Sequence, residues 1–306
     1  MRVAKPGFHP RNLHKFGYDF ERYVEICPEL KTYVAPNNYG TPSIDFSNPK
    51  AVKCLNLALL KNYYNIQYWE IPADYLTPPI PSRADYVHHV KDLLEEWGDR
   101  QEGVVGLDLG TGANCIYPII GAAQYGWKFV GTEVDAVAVE AATNIVQGND
   151  HLKDRVEIRL QSQKSRIMEG VVGNDCFFDF AMVNPPFHSS LAAATRGSER
   201  KWRNLNNREA LGARGKKSKP APRLNFGGAT NELIFPGGEV GFISTMIKES
   251  SNPFIRERVK MFTTLVSSQE NLPVIYRLLQ EANVADVRTI DLAIGNKKSR
   301  IVAWKY

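Results

Sequence analysis

The chain has 306 residues, 43% hydrophobic and 23% charged, with a net charge of +5. That balance allows a sizeable buried core and excludes a disordered protein. No run approaches the ~18 uninterrupted apolar residues of a membrane span, the basic start MRVAKPGFHPRNLHK lacks the apolar core of a signal peptide, and Cys27, Cys54, Cys115 and Cys176 form no CxxC pair, which argues for a reducing cytoplasm and against a zinc site or disulfide framework.

Residues 1–45 are rich in Pro, Asn, Tyr and Gly and read as irregular, with one short helix near Phe20 to Glu25. The first fifteen residues hold Arg2, Lys5, Arg11 and Lys15 and no acid. Asn48 followed by Pro49 predicts a capped helix start, and Val52, Leu55 and Leu59 give that helix an apolar stripe. The proline-rich stretch 69–82 reads as an extended connector. Ser82 with Asp85 three positions on marks a second helix start, whose face is Val87, Val90, Leu94 and Trp97. His88 and His89 are adjacent, so on a helix they point to different faces, and no metal site is expected of them.

From Gly103 strand-like and helical patterns alternate. Strands are predicted over Val104–Leu109, Trp127–Glu133, Val156–Leu160, Phe177–Val183, Val259–Val266, Val287–Leu292 and Arg300–Trp304, and helices over Ala136–Gln147, Val240–Ser250 and Pro273–Ala282. Such alternation predicts an α/β fold, a mostly parallel sheet covered on both faces. The chain divides into an N-terminal extension, 1–100, mainly helical and irregular, and a domain over 101–306. Residues 188–238 interrupt the rhythm, and an insertion this long inside a compact domain is usually functional or disordered. Between Arg196 and Arg223 it holds ten cationic side chains against Glu199 and Glu209. Clustered positive charge is the footprint of a polyanion binder.

Three motifs carry chemistry. Gly106-Leu-Asp108-Leu-Gly110-Thr111-Gly112-Ala-Asn114 lies where a strand runs into a helix, and glycine there lets backbone approach a ligand closely. Cys115 occupies the last position of the dinucleotide pattern GxGxxG, which counts against NAD or FAD. Glu133 ends the next strand, 23 residues after Gly110. An acid there can accept hydrogen bonds from the ribose of an adenosyl cofactor. Asn184-Pro185-Pro186-Phe187 follows a further strand, so Asn184 is expected beside the glycine turn. The Asn184 side-chain oxygen and the Pro185 carbonyl can accept both hydrogens of an amino group, and Phe187 offers a face for a base to stack on.

These motifs resemble those of the class I, Rossmann-like methyltransferases that modify amino groups. More closely, the chain resembles the RlmF family, the 23S ribosomal RNA (adenine(1618)-N(6))-methyltransferases. The likeness runs through KPGFHPRN, Ala84-Asp-Tyr-Val-His-His89, DLGTGANCIYPIIGA, NPPFH, Gly197-Ser-Glu-Arg-Lys, Leu224-Asn-Phe-Gly-Gly and Ser299-Arg-Ile-Val-Ala-Trp. It implies a seven-stranded sheet whose last strand, near Arg300–Trp304, is antiparallel. It implies S-adenosylmethionine as cofactor, surrounded by Arg83, Gly110, Asn114, Glu133, Ser165 and Asn184, with Asp108, Thr111 and Gly112 in the same turn. Asn114 stands where many relatives of the broader class have glycine. The partner implied is large-subunit ribosomal RNA or its assembly intermediate, held by Lys5 and Arg11 and by Arg196, Arg200, Lys201, Trp202 and Arg203. A cytoplasmic monomer working without a metal or a membrane is expected. The competing readings are a methyltransferase for protein glutamine amides, which also uses Asn-Pro-Pro but usually closes it with Tyr, and a non-catalytic RNA-binding assembly factor.

Overall fold

The computed structural model describes residues 4–98, 102–174, 176–189, 234–294 and 297–306. Arg196, Arg200, Lys201, Trp202 and Arg203 therefore lie outside the described residues, as does most of the 188–238 insertion.

Local sequence signals start the helices of the N-terminal extension. The Asp19 side chain accepts the Arg22 amide and opens α1 (Phe20–Ile26), giving one of the free first-turn amides a partner. A 3-10 turn and an antiparallel hairpin follow, β1 (Val34–Pro36) and β2 (Pro42–Ile44). Asn48 then caps α2 (Pro49–Tyr64), accepting from Lys50 and Ala51. α3 (Ile80–Glu96) begins at Ile80 rather than at the Ser82–Asp85 pattern. Pro81 is tolerated in that first turn because the amide it lacks has no helical partner there.

The second half alternates as expected: β3 (Val105–Leu109), α4 (Ile116–Tyr125), β4 (Lys128–Glu133), α5 (Ala136–Gln147), the short α6 (Asp150–Lys153), β5 (Val156–Leu160) and β6 (Phe180–Val183). After the insertion come α7 (Gly238–Ser250), the short α8 (Pro253–Arg256), β7 (Phe262–Val266), α9 (Leu272–Glu281), β8 (Asp286–Ile294) and β9 (Lys297–Lys305). The strands form one seven-stranded sheet in the order β5-β4-β3-β6-β7-β9-β8. β9 is inserted between β7 and β8 and runs antiparallel to both. Two strands are shorter than predicted, because Phe178 and Val259 pair only as an isolated bridge ahead of β6 and β7.

Period-two alternation divides the core. Leu107 and Leu109 of β3, Ala181 and Val183 of β6, and Val302 and Trp304 of β9 face α7 and α9. Phe180 and Met182 of β6 and Ile301 and Ala303 of β9 face the other way. That second face is continuous with Phe20, Tyr23 and Leu30 of the extension and with the apolar sides of α2 and α3. The extension thus covers one face of the sheet and shares its core. Gly106 is needed on this face: a Cβ there would stand 2.5 Å from the Phe180 ring and 2.7 Å from that of Phe129.

Candidate active site

The sheet itself sets the position of the site. Strand order reverses between β3 and β6, and crevices beyond the carboxyl ends of strands at such a point bind ligands. Leu109 and Val183 are register partners. The two strands therefore end level, and the Gly110 turn and the Asn184 loop leave the sheet side by side.

The glycine turn takes backbone shapes that side chains avoid. Gly110 has φ +70° and Gly112 φ +63°, in the left-handed region that favours glycine. A Cβ on Gly110 would meet nothing within 4 Å, so the turn borders open space. Its far end is clamped by Glu133, whose Oε2 accepts the Gly112 amide at 3.0 Å while Oε1 accepts those of Val134 at 2.7 Å and Asp135 at 3.3 Å. Burial raises the Glu133 carboxyl above its ordinary range, against the pull of those amides. The acid expected to meet a ribose is thus also the brace of the turn.

A cavity of about 680 Å³ opens above these strand ends. Gly110, Thr111, Gly112, Asn114 and Glu133 line it, as the resemblance implies. Arg83, Ser165, Asn184 and Pro186 complete the predicted set on its wall. Asp108 is absent from the lining: it is fully buried beneath the turn, and neither carboxyl oxygen has a hydrogen-bond partner among the described residues. Burial pushes its carboxyl up to about 7, opposed by the Arg83 charge. The buried Arg83 guanidinium lies over the Tyr117 ring at 5.8 Å and has no ion-pair partner among the described residues. A buried cation without a counter-ion suits a ligand that brings an anionic group.

Sequence reasoning missed much of the wall. Leu76 and Pro78, assigned to a plain connector, line the cavity. The connector is held by the Asn56 side chain, which donates to the Pro78 carbonyl at 2.8 Å, and by the Trp69 indole, which donates to the Asn114 carbonyl at 3.0 Å. Asn114 itself accepts the Ile116 amide at 3.2 Å at the start of α4 and donates to the Leu76 carbonyl at 3.5 Å. Gln161, Tyr117, Phe242 and Thr245 were also missed. No spacing rule links them to the motifs, and the proline run was the only available hint.

A second cavity, about 510 Å³, lies on the other side of the Asn184 loop. Phe187 lines it, together with Lys5, Pro6 and Phe8 of the N-terminal arm and Leu292 and Ser299 of the β8–β9 hairpin. Arg83 and Asn184 line both cavities. Pro185, expected to act on the substrate amine, is buried and lines neither.

The arm is pinned to α3. Asp85 Oδ1 accepts the His9 amide at 3.1 Å and also the Asn12 side chain. Arg11, expected to grip RNA, is committed here: it pairs with Asp92 and donates to the His88 carbonyl at 3.1 Å. His88 and His89 both meet His9, the first stacked at 5.2 Å and the second edge-on at 4.8 Å. Neighbouring helix positions diverge by about 100°, and the His9 ring sits in the angle between them. His9, His89 and Asp92 hold ligand-type atoms within 4.8 Å of one another. The Arg11 amide donates to His9 Nδ1 at 3.1 Å, which leaves the ring proton on Nε2, 2.8 Å from Asp92. His9 and Asp92 are thereby joined by a hydrogen bond that latches the arm, with the His89 ring packed edge-on against His9.

The insertion leaves and returns at the larger cavity. His188 and Ile234 form a parallel bridge, the Phe235 amide donates to the His188 carbonyl at 3.1 Å, and Ile234, Phe235 and Pro236 line the cavity. Among the described residues no helix is long and apolar enough to cross a membrane.

A family model described as RNA methyltransferase matches residues 2–306. A relative named ribosomal RNA large subunit methyltransferase F, from Photobacterium profundum, is 49% identical over 99% of this chain and 92% of its own length. A relative of the same name from Flavobacterium psychrophilum is 49% identical over 99% of this chain and 94% of its own. Among solved structures, the hMettl16 catalytic domain in complex with the MAT2A 3'UTR hairpin 1 superposes with a TM-score of 0.79 at 28% identity, covering 98% of this chain and 95% of that one.

Proposed function

The chain belongs to the RNA methyltransferase family whose model matches residues 2–306, and from that premise we propose that it transfers a methyl group from S-adenosylmethionine to the N6 amine of an adenine in large-subunit ribosomal RNA. The observation that carries this reading is that Arg83 and Asn184 line both cavities. Two chambers that share an amide-bearing wall suit a reaction that passes one group between two bound molecules. The relatives' name supports the RNA class, and the resemblance to the RlmF family supports adenine 1618 as the position.

When bound, S-adenosylmethionine supplies an electrophilic methyl group on its sulfonium. The larger cavity fits it on the chain's own terms. The open cradle at Gly110 admits backbone contact, the Arg83 guanidinium, without an ion-pair partner among the described residues, suits the carboxylate of the methionine moiety, and Glu133 keeps acceptor capacity for ribose hydroxyls.

The smaller cavity receives the adenine. Leaving its stack costs a few kcal/mol, less in unpaired RNA. Phe187 offers the face against which it stacks. The Asn184 amide oxygen accepts an amine hydrogen and turns the nitrogen lone pair toward the larger cavity, while Pro185, which lines neither cavity, serves by stiffening the loop that carries Asn184. Such orientation is worth several kcal/mol of barrier. The basic insertion is rooted at His188 and Ile234, and its Arg196, Arg200, Lys201 and Arg203 supply the charge that holds RNA phosphates, with Trp202 to stack on a base. Binding should weaken as salt rises. Lys5, on the wall of the smaller cavity, contributes a further cation. Residues 1–100 act as the RNA-contacting extension to a methyltransferase domain over 101–306.

The test uses S-adenosylmethionine with a labelled methyl group and total ribosomal RNA from cells lacking the gene. Digestion should give labelled N6-methyladenosine, and Asn184→Ala should lower kcat at least a hundredfold with cofactor affinity little changed. Label in a protein glutamine amide, or wild-type turnover by the Asn184 variant, would refute the mechanism. A chain that binds RNA but no cofactor would be an assembly factor instead.

A further inference from the structure

After Gln161, whose amide donates to the Glu133 carbonyl at 2.7 Å, the described residues up to Phe178 form turns only, and the amides of Ile167, Met168 and Glu169 have no sheet or helix ladder to join. Three successive amides instead converge on one side chain. Glu249 Oε2 accepts from Met168 at 2.6 Å, Glu169 at 3.0 Å and Ile167 at 3.2 Å, and Oε1 accepts from Ile167 at 3.0 Å. Glu249 is only 3% exposed and sits near the C-terminal end of α7. Consecutive backbone amides that converge in this way form an anion-binding nest, and here the anion is built into the chain.

The nest borders the larger cavity. Lys164, Ser165, Arg166 and Ile167 line that cavity. The segment is also held by Gln161, whose side chain accepts the Gln163 amide at 3.0 Å and donates to the Glu169 carbonyl at 2.9 Å. Residues 164–167 are thus suspended between two side-chain anchors. Phe242 and Thr245 of α7 line the same cavity, so the helix that supplies one wall also holds another.

We infer that Glu249 is a positioning residue of the cofactor cavity: it gathers the amides of residues 167–169 and thereby sets where Ser165 and Ile167 stand. It touches no ligand itself, and the inference rests on reading this cavity as the S-adenosylmethionine site. A carboxylate serves better than a neutral acceptor because charge-assisted bonds to amides are about twice as strong. Without it the buried Ile167 and Met168 amides and the half-buried Glu169 amide lose their partner, and the wall must rearrange to find others.

The test is calorimetric titration of the full chain with S-adenosylhomocysteine, with RNA binding measured in parallel. E249A should raise the Kd for S-adenosylhomocysteine at least tenfold and leave RNA affinity within twofold. E249Q, which keeps an acceptor oxygen for Met168 and Glu169, should stay within about threefold of wild type. A folded E249A with unchanged cofactor affinity would overturn the inference, and so would equal losses for both ligands. Should E249A fail to fold, hydrogen exchange on the wild-type chain decides. Amides of Ile167, Met168 and Glu169 protected before ligand is added support a wall held by Glu249, whereas protection that arises only with ligand overturns it. A wild-type chain that binds no S-adenosylhomocysteine would remove the cofactor reading of the cavity, and this inference with it.

Discussion

The Tyr86 hydroxyl lies 2.8 Å from that of Thr263, and together they bridge the place where β6 and β7 part. The two strands have one register pair, Ala181 with Phe262, so the Val183 amide has no strand partner on that side. It donates instead to the Tyr86 hydroxyl at 3.4 Å. Thr263 gives its own proton to the Ala181 carbonyl at 3.0 Å, which leaves Tyr86 as donor to Thr263. Every hydroxyl in this fully buried relay has one direction, and the relay ends at the residue before Asn184.

Tyr86→Phe keeps the ring and removes the relay. It should lower stability by about 1–3 kcal/mol, the cost of leaving buried groups unpaired. It should also lower kcat more than it changes cofactor affinity, because the Asn184 loop loses its rear support. Urea unfolding and steady-state kinetics check both, and a variant with wild-type kcat would show that the relay serves stability alone.

Glu133 is expected to matter through two partners at once. Glu133→Ala frees the Gly112, Val134 and Asp135 amides and also removes an acceptor for the cofactor. Affinity for S-adenosylhomocysteine should fall at least tenfold, about 1.4 kcal/mol or more. Glu133→Gln should lose less than the alanine variant, since one acceptor oxygen survives. Calorimetry of both variants gives the comparison, and equal losses would mean that bracing the turn contributes nothing.

Asp108 makes stability depend on pH. Burial carries its carboxyl from 3.8 to about 7 in the folded chain. Between those values the folded state keeps a proton that the unfolded state has lost, so stability falls as pH rises through the window. Asp108→Asn never ionises. It should gain on the wild type by up to a few kcal/mol at pH 8 and by much less at pH 4. Denaturant melts at the two pH values measure this, and a difference independent of pH would refute it.

Asn12 tests the arm. It is fully buried, donates to Asp85 and to the Pro81 carbonyl at 2.9 Å, and accepts the His14 amide at 2.8 Å. Asn12→Ala removes the acceptor of the buried His14 amide and one donor each from Asp85 and the Pro81 carbonyl, at about 1–3 kcal/mol of stability. The arm lines the smaller cavity through Lys5, Pro6 and Phe8, so KM for RNA should rise while KM for S-adenosylmethionine holds. A rise in both, or in neither, would separate the arm from substrate binding.

The sequence by itself determined whatever depends on near neighbours along the chain. Asn48 caps α2 through amides two and three residues on, and the alternation in β3, β6 and β9 divides the two faces of the sheet. The glycine turn, Glu133 and Asn184 were legible because each closes a strand, and strand ends converge in this fold whatever lies between them. Tertiary structure alone decided the walls and braces. The tie from Asn114 to Leu76 spans 38 residues, that from Glu249 to Ile167 spans 82, and that from Tyr86 to Val183 spans 97. Caps and periodicities are written in spacing, because backbone geometry fixes which neighbours can meet. A buried carboxylate or hydroxyl finds its partner only once packing has brought distant segments together, and no spacing in the chain records that meeting.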